Sequence, residues 1–338
     1  MLTPALLWGG NIPDLMAELG LAILVGAVVD ALVGDPRRLP HPVVAMGKAI
    51  GWLEPRLRRL FPKTGRGEFA AGLVLAVVLT LGSFLLASAT LALAGRVHPA
   101  LRFALEAVMC WQTLAGRELA RQGTAVEEAL EGEGLSAGRE ALAKIVGRDV
   151  DSLDEEGVSK AAVESVAENA SDGVVAPLFY LFLGGAPLAM LFKASSTLDS
   201  MVGYEDGRYR HFGTASAKLD DALCWIPSRL SALAMIAVAP IVGLSREGAW
   251  RIWRRDRRKH ESPNAGQGES AMAGALGVRL AGPASYGGEL EEKPFLGDAL
   301  RPVETEDIRR AVSLMGASSG LCFAVFFAVR AVVVAVAV

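Results

Sequence analysis

At 338 residues, 52% hydrophobic and only 21% charged, with a mean hydropathy of +0.36, the chain is too apolar for an ordinary soluble protein and long enough for more than one domain. A formal net charge of −3, with the basic residues in local blocks instead of one broad patch, excludes the electrostatic footprint of a nucleic-acid binder. Cys110, Cys224 and Cys322 lie in apolar contexts without disulfide or metal spacing, which reads as reduced packing residues.

No Lys or Arg precedes Arg37, so the basic start of a cleaved signal peptide is missing and an outward N-terminus is expected. Residues 15–33 form a first span in spite of Glu18 and Asp30. In residues 34–68 eight Lys/Arg stand against three Asp/Glu, the bias of a cytoplasmic loop. There the pairs Asp35-Pro36 and His41-Pro42 force turns or extended backbone and place an Asp and a His at the mouth of the first helix. That pair suits a metal or proton transfer, and equally a hydrogen-bonded structural turn. Residues 46–60 read as a basic helix lying on the membrane surface. Residues 69–95 are 27 positions without a charge, above the roughly 20 needed to cross a bilayer. Residues 98–116 are apolar but carry Arg102 and Glu106 at i,i+4 spacing, and either cross or lie flat.

Residues 117–173 are polar and helical, with an acidic, glycine-broken patch at 127–138 that reads as an exposed loop. In residues 157–172 the apolar positions recur at steps of three and four, the mark of an amphipathic helix. Glu164, Glu168 and Asp172 fall four apart on one face, with Asn169 and Ser171 beside them. Like charges at that spacing weaken a helix. A Mg²⁺ ion, which takes one or two carboxylates plus phosphate oxygens, would relieve the repulsion, and a merely solvated acidic face is the other reading.

Residues 174–192 are 19 uncharged positions interrupted by Gly184, Gly185 and Pro187. A broken helix at membrane depth is tolerated where it packs on protein or lines a cavity, so a re-entrant element is expected. The polar motif loop 193–221 follows, with Lys193, Asp199 and Tyr204 among many charges and hydroxyls. This is the composition of a site for an anionic substrate with a metal, or of plain loop surface. Residues 222–244 form another span with Arg229 inside it, either a functional intramembrane charge or a snorkelling one.

Residues 245–261 hold seven Lys/Arg and three acids, again a cytoplasmic bias. Two cytoplasmic loops require an even number of crossings between them, yet 69–95, 174–192 and 222–244 make three. Either 98–116 also crosses or one of the three turns back. Residues 245–310 run from basic to Gly-rich and lack a phosphate-binding GxxxxGK[ST] run. A backbone anion nest and a flexible loop are equal readings there. Residues 311–338, apolar except for Arg330, close the chain as a final span.

The reading is an all-α polytopic integral membrane protein, a single membrane-embedded domain with about five transmembrane helices, a broken re-entrant helix and polar interfacial loops. Two functions survive: a membrane enzyme acting on an anionic, phosphorylated substrate with Mg²⁺, or a transporter whose pathway uses Arg229 and the broken helix. Polar motifs outside the apolar spans, and no internal repeat, favour the enzyme.

The runs GDP and HPVVAMG within 34–47, then VGRDV, AAVESVAENASDGVVAPLFY, KASSTLDSMVGY, FGTASAKLDD, IPSRL and HESPNAGQGESAMAGAL with YGG resemble, nearly end to end and in order, the adenosylcobinamide-phosphate synthase family of cobalamin biosynthesis. Where the KAxNTLDSM form of that motif stands in the family, this chain has Ser195 and Ser196, so a hydroxyl would replace an amide contact. The resemblance implies an enzyme of the bacterial inner membrane. It would join the f-side-chain propionate carboxyl of adenosylcobyric acid to the amine of (R)-1-aminopropan-2-ol O-2-phosphate, using ATP and Mg²⁺ and an acyl phosphate.

On that basis Glu164, Glu168 and Asp172, with Asp199, would hold Mg²⁺ against nucleotide phosphates. Lys193, Arg148 or Arg229 would take the phosphate groups, and Asp35 or His41 would accept the amine proton. Asn169, Ser171, Ser262 and Asn264 would orient amide and phosphate groups, with Tyr204 also at the substrate. The expected partners are the two substrates, the lipid bilayer and other corrinoid-pathway enzymes, and no nucleic acid.

Overall fold

The computed structural model describes residues 12–36, 39–204 and 207–337. The expected outward N-terminus falls on residues 1–11, outside the described residues, as do Arg37 and Arg38 of the basic loop. In chain order the helices are α1 (Ile12–Val33), α2 (Pro42–Leu60), α3 (Gly65–Val97), α4 (Pro99–Thr113), α5 (Gly116–Gly132), α6 (Leu135–Leu142), α7 (Glu155–Asn169), α8 (Ala176–Val202), α9 (Thr214–Val238), α10 (Arg246–Asp256), α11 (Ala265–Leu276) and α12 (Glu306–Ala337). A π-turn, Ala170–Val175, follows α7. Sheet is confined, among the described residues, to β1 (Arg279–Ala281), β2 (Ala284–Tyr286), β3 (Glu289–Glu291) and β4 (Phe295–Gly297).

Five helical stretches are long and apolar enough to cross a membrane: Met16–Val33, Gly65–Val97, Glu155–Val202, Thr214–Val242 and Glu306–Val336. The protein is an all-α multi-pass membrane protein. Helix α4 is not among these stretches. Its 15 residues span about 22 Å at ~1.5 Å per residue, short of the ~30 Å hydrocarbon core. The chain divides into two compact units, one of residues 1–115, 176–223 and 325–338, the other of residues 116–175 and 224–324.

In the first unit, Met46, Ile50 and Leu57 of α2 pack with Ala71 and Leu75 of α3, Met190, Ala194 and Leu198 of α8, and Phe212. The apolar face of α2, expected to meet lipid, is thus taken up by the bundle. Gly72 allows the chain at Phe212 to come against α3, because a Cβ there would overlap the Phe212 carbonyl oxygen.

Helix α8 is broken at Gly184 (φ −152°, ψ 20°) and Gly185, whose φ of +72° suits glycine. A break strands backbone donors on one side and acceptors on the other. Here Glu106 of α4 accepts from the Ala186 N–H. Arg330 donates to the carbonyls of Phe182 (3.1 Å) and Met16 (2.9 Å). Each half-helix end therefore meets the charge its dipole favours. Arg102 lies 3.5 Å from Glu106 and 3.6 Å from Glu18, which accounts for the charges in the apolar run of α4.

In the second unit, Val158, Ala162 and Val166 of α7 share a core with Ile252 of α10, Met272 and Ala273 of α11, and Ile308, Ala311 and Leu314 of α12. Two readings of the sequence are corrected here. The acidic patch at 127–138 is not a loop: it belongs to α5 and α6, parted by a tight turn at Gly134 (φ +90°), and Glu127 is buried. Nor is the Gly-rich stretch a flexible loop, for residues 265–276 form α11. Its glycines are contact points. A Cβ on Gly268 would meet the Ala167 carbonyl oxygen, and one on Gly274 the Gly248 carbonyl oxygen. Beyond α11, β1 pairs antiparallel with β4 (Leu280 opposite Leu296) and β2 with β3 (Ser285 opposite Leu290).

Candidate active site

The second unit collects ionisable groups where α7 and α11 approach each other. Gly268 removes the side chain that would hold the helices apart, and Glu164, one helical turn before Glu168, is 3% exposed. A carboxylate so buried needs partners. Both its oxygens have one: Arg148 Nη2 at 2.6 Å from Oε2, and the Ala281 backbone N–H at 2.6 Å from Oε1. Burial opposes the charge on Arg148, yet Glu164 keeps its guanidinium more firmly protonated than usual. Glu164 thus fastens α7 to Arg148 and to β1.

Glu168 is exposed and Asp172, on the π-turn, is half-buried. Among the described residues, Glu164, Glu168 and Asp172 do not converge as a three-ligand set. Asn169 donates to the Ser165 carbonyl at 2.9 Å. Ser171 is buried, and its hydroxyl has no hydrogen-bond partner among the described residues.

Arg148 also leads into the hairpin. Its neighbour Asp149 accepts from the backbone N–H groups of Gly287 (3.1 Å) and Gly288 (2.7 Å), so the YGG turn is held by a carboxylate. Glycine suits the positive φ at both positions, +59° and +85°. Tyr286 accepts a hydrogen bond from Lys293 at 2.9 Å.

Sequence reasoning missed Glu269 and His260. Glu269 is 5% exposed on α11, and His260 Nε2 lies 3.7 Å from its Oε1. Burial, and then the neighbouring carboxylates Glu164 and Glu168, push the Glu269 carboxyl well above the usual range. Burial, reinforced by Lys293, pushes His260 down. His260 Nδ1 accepts from the Ser262 N–H at 3.0 Å, so in the neutral ring Nε2 carries the proton and faces Glu269.

The start of α11 is pinned by the predicted residues Ser262, Asn264 and Arg229. Ser262 Oγ accepts from the N–H groups of Asn264 and Ala265, both at 3.2 Å. Asn264 Oδ1 accepts from Ser228 and Arg229, also at 3.2 Å. Arg229 further donates to the Trp225 carbonyl at 2.6 Å and stacks 4.2 Å from the Trp225 ring.

The remaining predicted residues lie in the first unit. His41 caps α2, accepting from the Val43 N–H at 3.3 Å through Nδ1, and turns Nε2 toward Asp35 Oδ1 at 3.7 Å. The lone pair that a base needs is therefore spent on the cap. Lys193 and Asp199 are half-buried on α8, and exposed Tyr204 donates to the Ser200 carbonyl at 2.8 Å. Ser195 is fully buried with no hydrogen-bond partner for Oγ among the described residues, whereas Ser196 is half-buried. A further cluster was not foreseen: buried Glu54 of α2 binds Arg58 (3.0 Å), Arg208 (3.1 Å) and Tyr209 (3.4 Å), tying α2 to the chain after α8.

A family profile described as CobD/Cbib protein matches residues 23–315. The cobalamin biosynthesis protein CobD of Geobacter metallireducens is 48% identical over 300 residues, 89% of this chain and 93% of that protein. CbiB of Salmonella choleraesuis is 44% identical over 310 residues, 92% of this chain and 97% of the relative. CobD of Pelobacter propionicus is 46% identical over 304 residues, 89% and 91% of the two chains. No solved structure gives a significant match.

Proposed function

Because the chain belongs to the CobD/CbiB family of cobalamin biosynthesis proteins, we propose that it is an acid–amine ligase of the bacterial inner membrane. It joins adenosylcobyric acid, through the f-side-chain propionate, to (R)-1-aminopropan-2-ol O-2-phosphate, and ATP activates the carboxylate. The observation that carries this reading is the division of labour among three carboxylates: Glu164 is spent on Arg148 and Ala281, while Glu168, one turn further on α7, is exposed and Asp172, on the π-turn, is half-buried.

Mg²⁺ fits that donor set in part. Two carboxylates are what the ion takes alongside phosphate oxygens, and Glu164 is not available as a third. Glu168 and Asp172 would hold it. When bound, the ion supplies positive charge to the phosphate oxygens of the nucleotide.

The protein's own groups do the rest. Arg148, fixed by Glu164, offers the N–H groups its ion pair leaves over to an anionic oxygen, and Lys293, held by Tyr286 and Glu291, adds a second positive charge near Glu269. Ser262 and Asn264 keep the start of α11 rigid, so Glu269 is presented in one position. Lys193 and Asp199 of the KASSTLDSM run, half-buried on α8 in the first unit, are a further pair of opposite charges.

The two features that suggested a transporter have structural partners. The ends of broken α8 are capped by Glu106 and Arg330, and Arg229 is engaged by Trp225 and Asn264.

The test is hydroxylamine trapping. Purified protein given ATP, Mg²⁺ and adenosylcobyric acid without the amine should release ADP and yield a corrinoid hydroxamate. Absence of both from folded protein would sink the acyl-phosphate route.

A further inference from the structure

Helix α2 joins two membrane spans. Spans α1 and α3 end and begin at Val33 and Gly65, so α2 lies at one face of the bilayer. In α2 the residues Met46, Ile50, Glu54 and Leu57 form the buried stripe. The opposite face carries Val44, Lys48, Trp52, Arg56, Arg59 and Leu60, all exposed; Trp52 is 57% exposed and Leu60 77%.

Two features separate this face from an ordinary solvated one. Among the described residues, Lys48, Arg56 and Arg59 form no ion pair, because Glu54, the carboxylate in α2, is turned inward to Arg58 and Arg208. The Trp52 ring is also held flat under the Arg56 guanidinium, 3.9 Å from its centroid, with Arg56 donating to the Trp52 carbonyl. That leaves a large amphipathic ring and an unneutralised cation side by side at the headgroup level, where such rings concentrate.

We propose that this outward face of α2 is a binding surface for anionic phospholipid headgroups. Lys48, Arg56 and Arg59 contact the phosphates, and Trp52 and Leu60 enter the boundary with the acyl chains. An uncharged or wholly polar occupant would leave either the cations or Trp52 and Leu60 unmatched. The proposal concerns the lipid contact alone and is independent of the reaction.

The test uses the full chain in nanodiscs of phosphatidylcholine with or without phosphatidylglycerol. Lipid retained after detergent exchange is measured by native mass spectrometry, and protection of α2 by hydrogen exchange. The wild-type protein should retain phosphatidylglycerol preferentially, and α2 should be better protected when that lipid is present. The K48Q/R56Q/R59Q variant should lose the preference by about fivefold per charge removed. The control R121Q/R251Q/R309Q, at exposed arginines already paired with Glu118, Asp298 and Glu306, should keep it. Should the triple variant fold poorly, the wild-type exchange comparison decides alone. Equal α2 protection with and without phosphatidylglycerol, or unchanged retention by a folded triple variant, overturns the proposal.

Discussion

Glu164 and Glu168 are the same residue type one helical turn apart, and their surroundings give them opposite roles. Glu164 is buried against Arg148 and a backbone N–H, so Glu164→Ala would strand the Arg148 charge and cost about 3–5 kcal/mol, seen as a large fall in the unfolding temperature in detergent. Glu168→Gln should leave that temperature within a degree or two, since surface changes are worth roughly 0.5 kcal/mol or less, and should abolish ATP-dependent product. Glu269 sets a pH dependence. Its folded pKa is raised by burial and by Glu164 and Glu168, so the folded state holds a proton that the unfolded chain loses near pH ~4.3. The stability tied to that proton is present below this pH and declines as pH rises toward the raised value. Glu269→Gln should therefore unfold at a higher temperature than wild type, with a gap that opens above pH ~4.3 and widens as pH rises. A gap that narrows with pH would contradict the assignment.

At the scale of elements, the break in α8 depends on side chains from elsewhere in its unit. Glu106→Ala leaves the Ala186 N–H without its acceptor and Arg102 without its buried partner, and should cost about 1–3 kcal/mol in thermal unfolding, whereas an exposed substitution on the same helix should not. The interruption itself was legible, because Gly184, Gly185 and Pro187 break an otherwise uniform apolar run. A helix over residues 46–60 was legible, but not what its apolar side packs on, since lipid and a neighbouring helix ask for the same residues. Helix α11 was not legible. Gly266, Gly268 and Gly274 look like flexibility in a string of letters, and only the neighbours they touch reveal them as places of close helix approach. Glu269 was hidden with them, as a lone acid in what read as a loop. The three-residue strands β1–β4 are too short to show any period, and the pairing of Glu164 with β1 joins residues 117 apart in sequence.

For the whole molecule, the two basic stretches set the topology. With α4 too short to cross, Gly65–Val97 and Thr214–Val242 supply an even number of crossings between them if the run broken at Gly184 and Gly185 returns to the face it entered from. An even number is what the positive-inside rule expects of two basic stretches such as residues 34–68 and 245–261. The proposed ligase activity rests on family membership, the exposed Glu168 and the fixed Arg148. The most direct measurement is ligation by the purified, detergent-solubilised protein given adenosylcobyric acid, aminopropanol phosphate, ATP and Mg²⁺, with the amide product followed by mass and each component omitted in turn. The account predicts product only in the complete mixture and none from Glu168→Gln. Product formed equally well without ATP, or no product from folded protein that instead takes up a corrinoid or the amine into proteoliposomes, would contradict it.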